Sequence, residues 1–345
     1  MRAPAFWDRA TPSVAARLLQ PAGLAYGAVA TARMRRDGER AAVPVVCVGN
    51  FTLGGAGKTP TALRIAALLQ DAGETPAFLT RGYGGRSRGP VRVNPARHSA
   101  AEVGDEPLLL ARTAPTVVAR ERPAGARLAV ADGATVIVMD DGLQNPSLVK
   151  DFAIAVVDGE TGAGNGLAFP AGPLRAPLSA QWPHVHAVVV LGSGNAGAAV
   201  ADEGVRRGLP IFGARLEPDA AVAARLKGAS VLAFCGIGRP EKFFRTLEAC
   251  GAAVTVRRSF PDHHGFSGQE LDALAREAEA ACLVLATTEK DAARVQNDPA
   301  LRAYAPRLLP VPVTLRLDDE AGLRKLLRDA LSRARSSLPR LRTTS

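Results

Sequence analysis

The chain predicts an α/β fold of the P-loop NTPase type: a mostly parallel sheet flanked by helices. Three observations carry this. Apolar runs of strand length alternate with helix-period stretches, which is how a parallel sheet covered on both faces is written in sequence. Between one such strand and the next helix lies a glycine-rich turn ending in Gly57-Lys58-Thr59, the mark of a P-loop NTPase-type core. A further apolar run, 135–139, ends in two carboxylates, Asp140 and Asp141.

The elements follow in order. Residues 14–34 are mostly apolar or small, but Arg17, Gln20 and Pro21 interrupt them too often for a membrane span. Asp8, Arg9 and Arg17 likewise break any signal-peptide core. Trp7, Leu18, Leu19, Leu24, Tyr26 and Val29, followed by Arg33, Arg35 and Arg36, fit either an interfacial amphipathic helix or a helix packed on the protein's own core. Strands are expected at 45–48, 77–80, 116–119, 135–139 and 152–157, with helices at 61–71, 106–112 and 124–131 between them.

Residues 159–183 are rich in Gly and Pro and read as a long functional loop. Further strands are expected at 187–191, 210–216, 231–235, 254–256 and 282–286. Helices are expected at 241–249, 269–280 and 320–335, and the polar, basic tail from Ser336 is expected to fray. The division is 1–40 for the N-terminal segment, 41–220 for the phosphate-loop core and 221–345 for a C-terminal α/β domain.

Composition narrows the partners. A 47% hydrophobic, 22% charged chain of 345 residues is ordinary for a globular protein. The net charge of +10 suits a phosphorylated substrate or an anionic membrane, or else reflects arginines scattered over a solvated surface. No ribonucleoprotein signature, zinc-finger spacing or basic-heptad pattern is present, so no nucleic-acid partner is expected. The four cysteines lie far apart with no metal-ligand spacing and read as reduced thiols.

The chemistry concentrates in short runs. In Gly49-Asn50-Phe51-Thr52-Leu53-Gly54-Gly55-Ala56-Gly57-Lys58-Thr59-Pro60, the backbone of Thr52, Gly54, Gly55, Ala56 and Gly57 is expected to cradle the phosphates of ATP. Lys58 reaches the β/γ oxygens and Thr59 ligates Mg²⁺. The strict loop pattern has glycine where Thr52 stands, so this loop is of the G-G-x-G-K-T kind. Lysine is scarce, at six against 37 arginines, which sets Lys58 apart from the compositional background. Asp140 and Asp141, at a strand end, are expected to hold Mg²⁺ or position water.

Asp105, in Gly104-Asp105-Glu106-Pro107, reads as a helix cap. His263 and His264, in Phe260-Pro261-Asp262-His263-His264, are candidates for a general base or its orienting partner. Arg81, Tyr83, Arg122 and Arg175 are candidates for the substrate. The turn Thr288-Glu289-Lys290-Asp291 caps a helix, contacts nucleotide, or both.

Together these motifs resemble the tetraacyldisaccharide 4′-kinases, the lipid A 4′-kinases of Gram-negative bacteria. The resemblance runs from the N-terminal helix to Arg294. It rests on the phosphate loop, Arg81-Gly82-Tyr83-Gly84, Gly104-Asp105-Glu106-Pro107 and Asp140-Asp141-Gly142-Leu143-Gln144. It continues through Ala171-Gly172-Pro173-Leu174-Arg175, Gly236-Ile237-Gly238, Phe260-Pro261-Asp262-His263-His264 and Thr288-Glu289-Lys290-Asp291-Ala292.

The resemblance implies ATP- and Mg²⁺-dependent phosphorylation of the 4′-hydroxyl of a lipid A disaccharide 1-phosphate at the cytoplasmic face of the inner membrane. It also implies a second, smaller α/β domain closing the cleft and an N-terminal membrane-associated helix. It implies that Asp105 and His263 cooperate in deprotonating that hydroxyl, His264 being the weaker candidate. It departs at Asn145, where the family usually has histidine, and at Ala176, where it often has an acid. Two other readings of the loop are a soluble small-molecule kinase or ligase and a non-enzymatic, ATP-switched targeting protein.

Overall fold

The computed structural model describes residues 4–337; of the tail expected to fray, residues 338–345 lie outside the described residues. A short 3₁₀ turn, Ala5–Trp7, precedes helix α1 (Val14–Met34). Next come β1 (Val45–Gly49), α2 (Lys58–Asp71), β2 (Pro76–Thr80), β3 (Val91–Arg92), α3 (Ala100–Val103) and α4 (Asp105–Leu110). They are followed by β4 (Thr116–Val118), α5 (Arg122–Ala131), β5 (Val136–Asp140) and β6 (Phe152–Asp158).

Beyond the Gly/Pro-rich loop lie α6 (Leu178–Gln181), β7 (Ala187–Leu191), α7 (Asn195–Arg206), β8 (Ile211–Pro218) and α8 (Ala220–Leu226). The chain continues through β9 (Ser230–Cys235), α9 (Pro240–Ala249), β10 (Ala253–Ser259), α10 (Gly268–Ala280), β11 (Val284–Thr288) and α11 (Glu289–Gln296). It closes with β12 (Leu309–Val311), β13 (Val313–Leu317) and α12 (Glu320–Ser337).

The strands form two sheets. The larger has nine strands in the order β13-β8-β7-β6-β1-β5-β2-β4-β3, parallel except for the edge pairs β13–β8 and β3–β4. The smaller, β10-β9-β11-β12, is parallel throughout. β1 sits centrally between β5 and β6, and all five of its residues are buried, as a strand covered on both faces requires. On one face Val46 and Val48 pack with Ile65 and Leu69 of α2 and Leu323, Leu327 and Leu331 of α12. On the other, Val45 and Cys47 share a core with Ala126, Ala129, Trp182 and Val200. The smaller sheet has its own two cores, one holding Phe243, Phe244 and Leu247, the other Leu271 and Leu274.

Two features depart from the linear reading. The chain crosses from the larger sheet to the smaller after β8 and returns between β12 and β13; the crossings run together, Asp219 N donating to Pro312 O at 3.0 Å. Strand β13 and helix α12, which the division at 220 grouped with the C-terminal domain, therefore lie on the larger sheet and complete one of its cores.

Helix α1 packs on the protein by one face. Gly23 and Gly27 are buried, and a Cβ on either would strike Ala168 or Pro177 of the Gly/Pro loop, so this face is packed backbone-close. Away from that face Val14, Leu18, Leu24 and Val29 are exposed. Among the described residues no helix is long and apolar enough to cross a membrane.

Candidate active site

The glycine-rich turn lies where the central strand of the larger sheet meets α2. Its first residues are extended and held by the Gly/Pro loop. Leu53 N donates to Pro173 O at 2.7 Å, Arg175 N to Phe51 O at 3.0 Å, and Thr52 bridges Leu174. This explains the β-branched Thr52 where the strict pattern has glycine, because a paired, extended position suits it. Glycine is needed further on: Gly54 and Gly57 have φ of +104° and +84°.

Helix α2 starts at Lys58, so its free N–H groups point into the turn, an arrangement suited to phosphate. Lys58 Nζ donates to Gly54 O at 3.3 Å and lies 3.9 Å from Asp141 Oδ1. Burial, partly offset by Asp141, holds its pKa below the ordinary lysine value. Thr59, in the same first helical turn, is buried. Behind the loop, the buried Asn50 reaches Thr52 Oγ1 at 3.5 Å and Gly54 O at 3.4 Å through Nδ2.

The two carboxylates next to the loop behave oppositely. The register Val48↔Asp140 places them beside the end of β1. Asp141, at φ +57°, accepts a bidentate fork from Arg175, at 2.8 and 3.0 Å, while Arg175 Nε donates to Thr52 O. Burial works to raise the Asp141 pKa, but Lys58 and Arg175 outweigh it and hold it below the usual range. Asp140 is 1% exposed, and both its carboxylate oxygens lack a hydrogen-bond partner. Burial first, then Glu106 and Asp141, push it up to about 7. A buried carboxylate with two unused oxygens is the group here best suited to a cation.

The other side of the site joins the two sheets. α4 begins at Asp105 with Gly104 in the cap position, so Asp105 is not the N-cap the sequence suggested; it sits with Glu106 in the first helical turn and turns its carboxylate to His263 and Arg294 instead of the helix amides. His263, at φ +58° in the turn after β10, sets Nδ1 3.1 Å from Asp105 Oδ1. Arg294 of α11 grips Asp105 Oδ2, and Lys290 reaches Glu106 Oε1 at 2.7 Å. Burial alone would raise Asp105, but His263 and Arg294 hold it well below the usual carboxylate range. Asp105 in turn raises His263, against burial. Lys58 senses Glu106, and Glu106 senses Lys290 and Asp105, so the phosphate loop and this cluster share one electrostatic field.

The remaining candidates separate. Arg81 and Tyr83 are exposed, and the Tyr83 ring lies 5.2 Å from that of His263. His264 stacks on Phe260 and meets Glu270 at 3.0 Å, a contact within its own unit that leaves the Asp105 pairing to its neighbour. Arg122 does not join the open side: it is 1% exposed, donates to Ala119 O, and is brought down to about 10 by burial. Asn145 closes a local turn, accepting from Ser147 N and Oγ at 2.8 and 2.6 Å, and Ala176 is buried. Arg294, and the part Glu106 and Lys290 play together, were not evident from the sequence; the Thr288-Glu289-Lys290-Asp291 turn was the nearest signal.

The chain matches the family described as tetraacyldisaccharide-1-P 4′-kinase over residues 15–332. A tetraacyldisaccharide 4′-kinase of Methylobacterium nodulans is 58% identical over 95% of this chain and 96% of the relative. Another, of Methylobacterium sp. (strain 4-46), is 60% identical over 97% and 99%. Among solved structures, LpxK from Aquifex aeolicus in complex with ATP superposes with a TM-score of 0.69 at 25% identity, covering 92% of this chain and 99% of that one.

Proposed function

The chain belongs to the tetraacyldisaccharide-1-P 4′-kinase family, and from that premise we propose how its residues divide the transfer of a phosphoryl group from ATP to a lipid hydroxyl. The activity is that of a phosphotransferase with an alcohol acceptor: the 4′-hydroxyl of tetraacyldisaccharide 1-phosphate, a lipid A precursor, is converted to the 4′-phosphate of lipid IVA. The soluble-acceptor kinase or ligase and the ATP-switched targeting protein are set aside by a family match spanning residues 15–332.

The reading of the site rests on one observation: Glu106 lies within electrostatic reach of both Lys58 of the phosphate loop and Asp105, which pairs with His263. The amides from Gly54 to Lys58 and the Lys58 cation bind the β/γ-phosphates. Thr59 and Asp140 would hold Mg²⁺, a fit supported by the two unpartnered oxygens of Asp140, whereas Asp141 is engaged by Arg175. Mg²⁺ there would offset charge on the transferring group.

Arg81 and Tyr83 meet the disaccharide. Arg175 acts through Asp141 and the loop backbone, and Arg122 supports the site from inside. Asp105 and His263 together take the hydroxyl proton, and the smaller unit closes the cleft around them.

The acceptor is acylated, so the enzyme works at a lipid surface, on the cytoplasmic face of the inner membrane. The exposed stripe Val14, Leu18, Leu24 and Val29, with Arg33, Arg35 and Arg36 at the helix end, suits interfacial docking without a span. The test of function is ³²P transfer from γ-labelled ATP to tetraacyldisaccharide 1-phosphate in detergent micelles. Labelled lipid supports the reading, and ATP binding without labelled lipid refutes it. The test of docking is sedimentation with anionic liposomes after the combined replacements Leu18→Ser, Leu24→Ser and Val29→Ser; unchanged sedimentation refutes it.

A further inference from the structure

Arg294 belongs to no catalytic motif, yet its guanidinium is where the two units meet at the acceptor side. It is 8% exposed. Nη1 meets Asp291 and donates to Gly236 O at 3.1 Å; Nη2 meets Asp105 Oδ2 and lies 3.5 Å from His263 Nδ1. Its seat is rigid. Asp291 is fully buried and accepts from Gly236 N at 3.0 Å and from Thr288 Oγ1 at 2.6 Å. The smaller unit thus holds the guanidinium on one side and presents its free edge to Asp105 of the larger.

The geometry of Asp105 follows. One oxygen is taken by Arg294 and the other by His263 Nδ1. An ionised carboxylate only accepts, so Nδ1 carries the hydrogen and Nε2 of the neutral ring keeps its lone pair. A carboxylate engaged at both oxygens and held acidic by its neighbours is a weak base, while the histidine it orients is better matched to neutral pH.

We propose that Arg294 is a positioning residue for the phosphoryl transfer, fixing the Asp105 carboxylate so that the substrate proton is received at Nε2 of His263. This rests on the pairing of Asp105 with His263 under the proposed function. In the step, the 4′-oxygen bonds to the γ-phosphorus, the bond from that phosphorus to the β,γ-bridging oxygen breaks, and its electron pair leaves with ADP. The hydroxyl proton passes to Nε2.

The charged and titratable groups facing the pair are Asp105 and Glu106 on α4, Tyr83, Asp262, and Lys290, Asp291 and Arg294 on α11. Arg294 holds His263 down, so removing its charge moves the acid limb of the kcat–pH profile to higher pH.

The experiment compares the full-length wild type with Arg294→Gln, Arg294→Lys and His263→Gln in detergent micelles, with folding followed by near-UV circular dichroism. Arg294→Gln is expected to lower kcat by about 10²-fold with KM for lipid and ATP affinity little changed, and to shift the acid limb upward. Arg294→Lys is expected to recover part of kcat and return the limb toward wild type. A folded Arg294→Gln with wild-type kcat, or one that loses kcat with the limb unmoved, overturns the proposal, and so does Arg294→Lys behaving no better than Gln. A fully active His263→Gln overturns the pairing itself, separately from any role of Arg294.

Discussion

The two sides of the cleft are assembled in opposite ways. The phosphate side is local: Asn50 to Thr59 are contiguous, suspended between a buried central strand and a long helix, with Asp140 set beside them by strand register. The acceptor side is divided: Asp105 and His263 are 158 positions apart in sequence, Asp105 and Arg294 189 apart, and the partners sit on different sheets. A local site inherits the rigidity of its own elements. A divided site exists only while the two units touch, so damage to it should spare what the first side does.

The largest effect tests that separation directly. Lys58→Ala removes the cation of the phosphate side and should lower turnover by about 10³-fold or more, with ATP affinity falling as well. Asp105→Asn should cost about 10²- to 10³-fold in kcat and leave ATP affinity at the wild-type level. Single-turnover labelling together with equilibrium nucleotide binding measures both. Equal losses of ATP affinity in the two variants would break the comparison and make Asp105 part of the nucleotide site.

The same division decides how much was legible in the sequence. The phosphate loop, the Asp140–Asp141 strand end and the alternation of strands and helices are local patterns, and the structure has them where periodicity and glycine placement put them. Asp105 was legible by itself only as a helix cap, because nothing in its neighbourhood signals a histidine 158 positions away. The resemblance to a known family supplied that pairing.

Arg294 stood at the end of that resemblance with no role, since a buried arginine in the second turn of its helix has no spacing signature. Strands β12 and β13 were missed because Pro310 and Pro312 interrupt them, and α7 because Gly197 and Gly204 punctuate a run of small residues that reads as a loop. Strand β11 runs two residues later than expected, after Cys282 takes a left-handed turn conformation at φ +52°.

A smaller effect sharpens the contrast in stability. Glu106 and Lys290 form a half-buried pair between the units. Lys290→Ala leaves the carboxylate without its partner and should cost about 1–2 kcal/mol, between the values for exposed and fully buried pairs. Arg335→Ala, which breaks an exposed contact to Glu74, should cost no more than about 0.5 kcal/mol. Urea midpoints read both, and equal costs would mean that the inter-unit contact is no tighter than an ordinary surface pair.

The smallest effect is the dependence of the divided side on pH. His263 is raised in the folded state by its hydrogen bond to Asp105, so its contribution is complete below its ordinary value of 6.5 and is lost as pH rises through the folded value. Asp105 is depressed, so its contribution is present above its ordinary value of 3.8 and is lost as pH falls through the folded value. The pair therefore binds the units best between these two ordinary values. The stability gap between wild type and His263→Gln should reach about 0.5–1 kcal/mol near pH 5.5 and shrink toward zero by about pH 9. Folded proteins titrated in urea at both pH values give the answer. A gap that stays constant would mean that His263 is held by packing against Tyr83 rather than by charge, and the divided side would then owe its assembly to Arg294 and Lys290 alone.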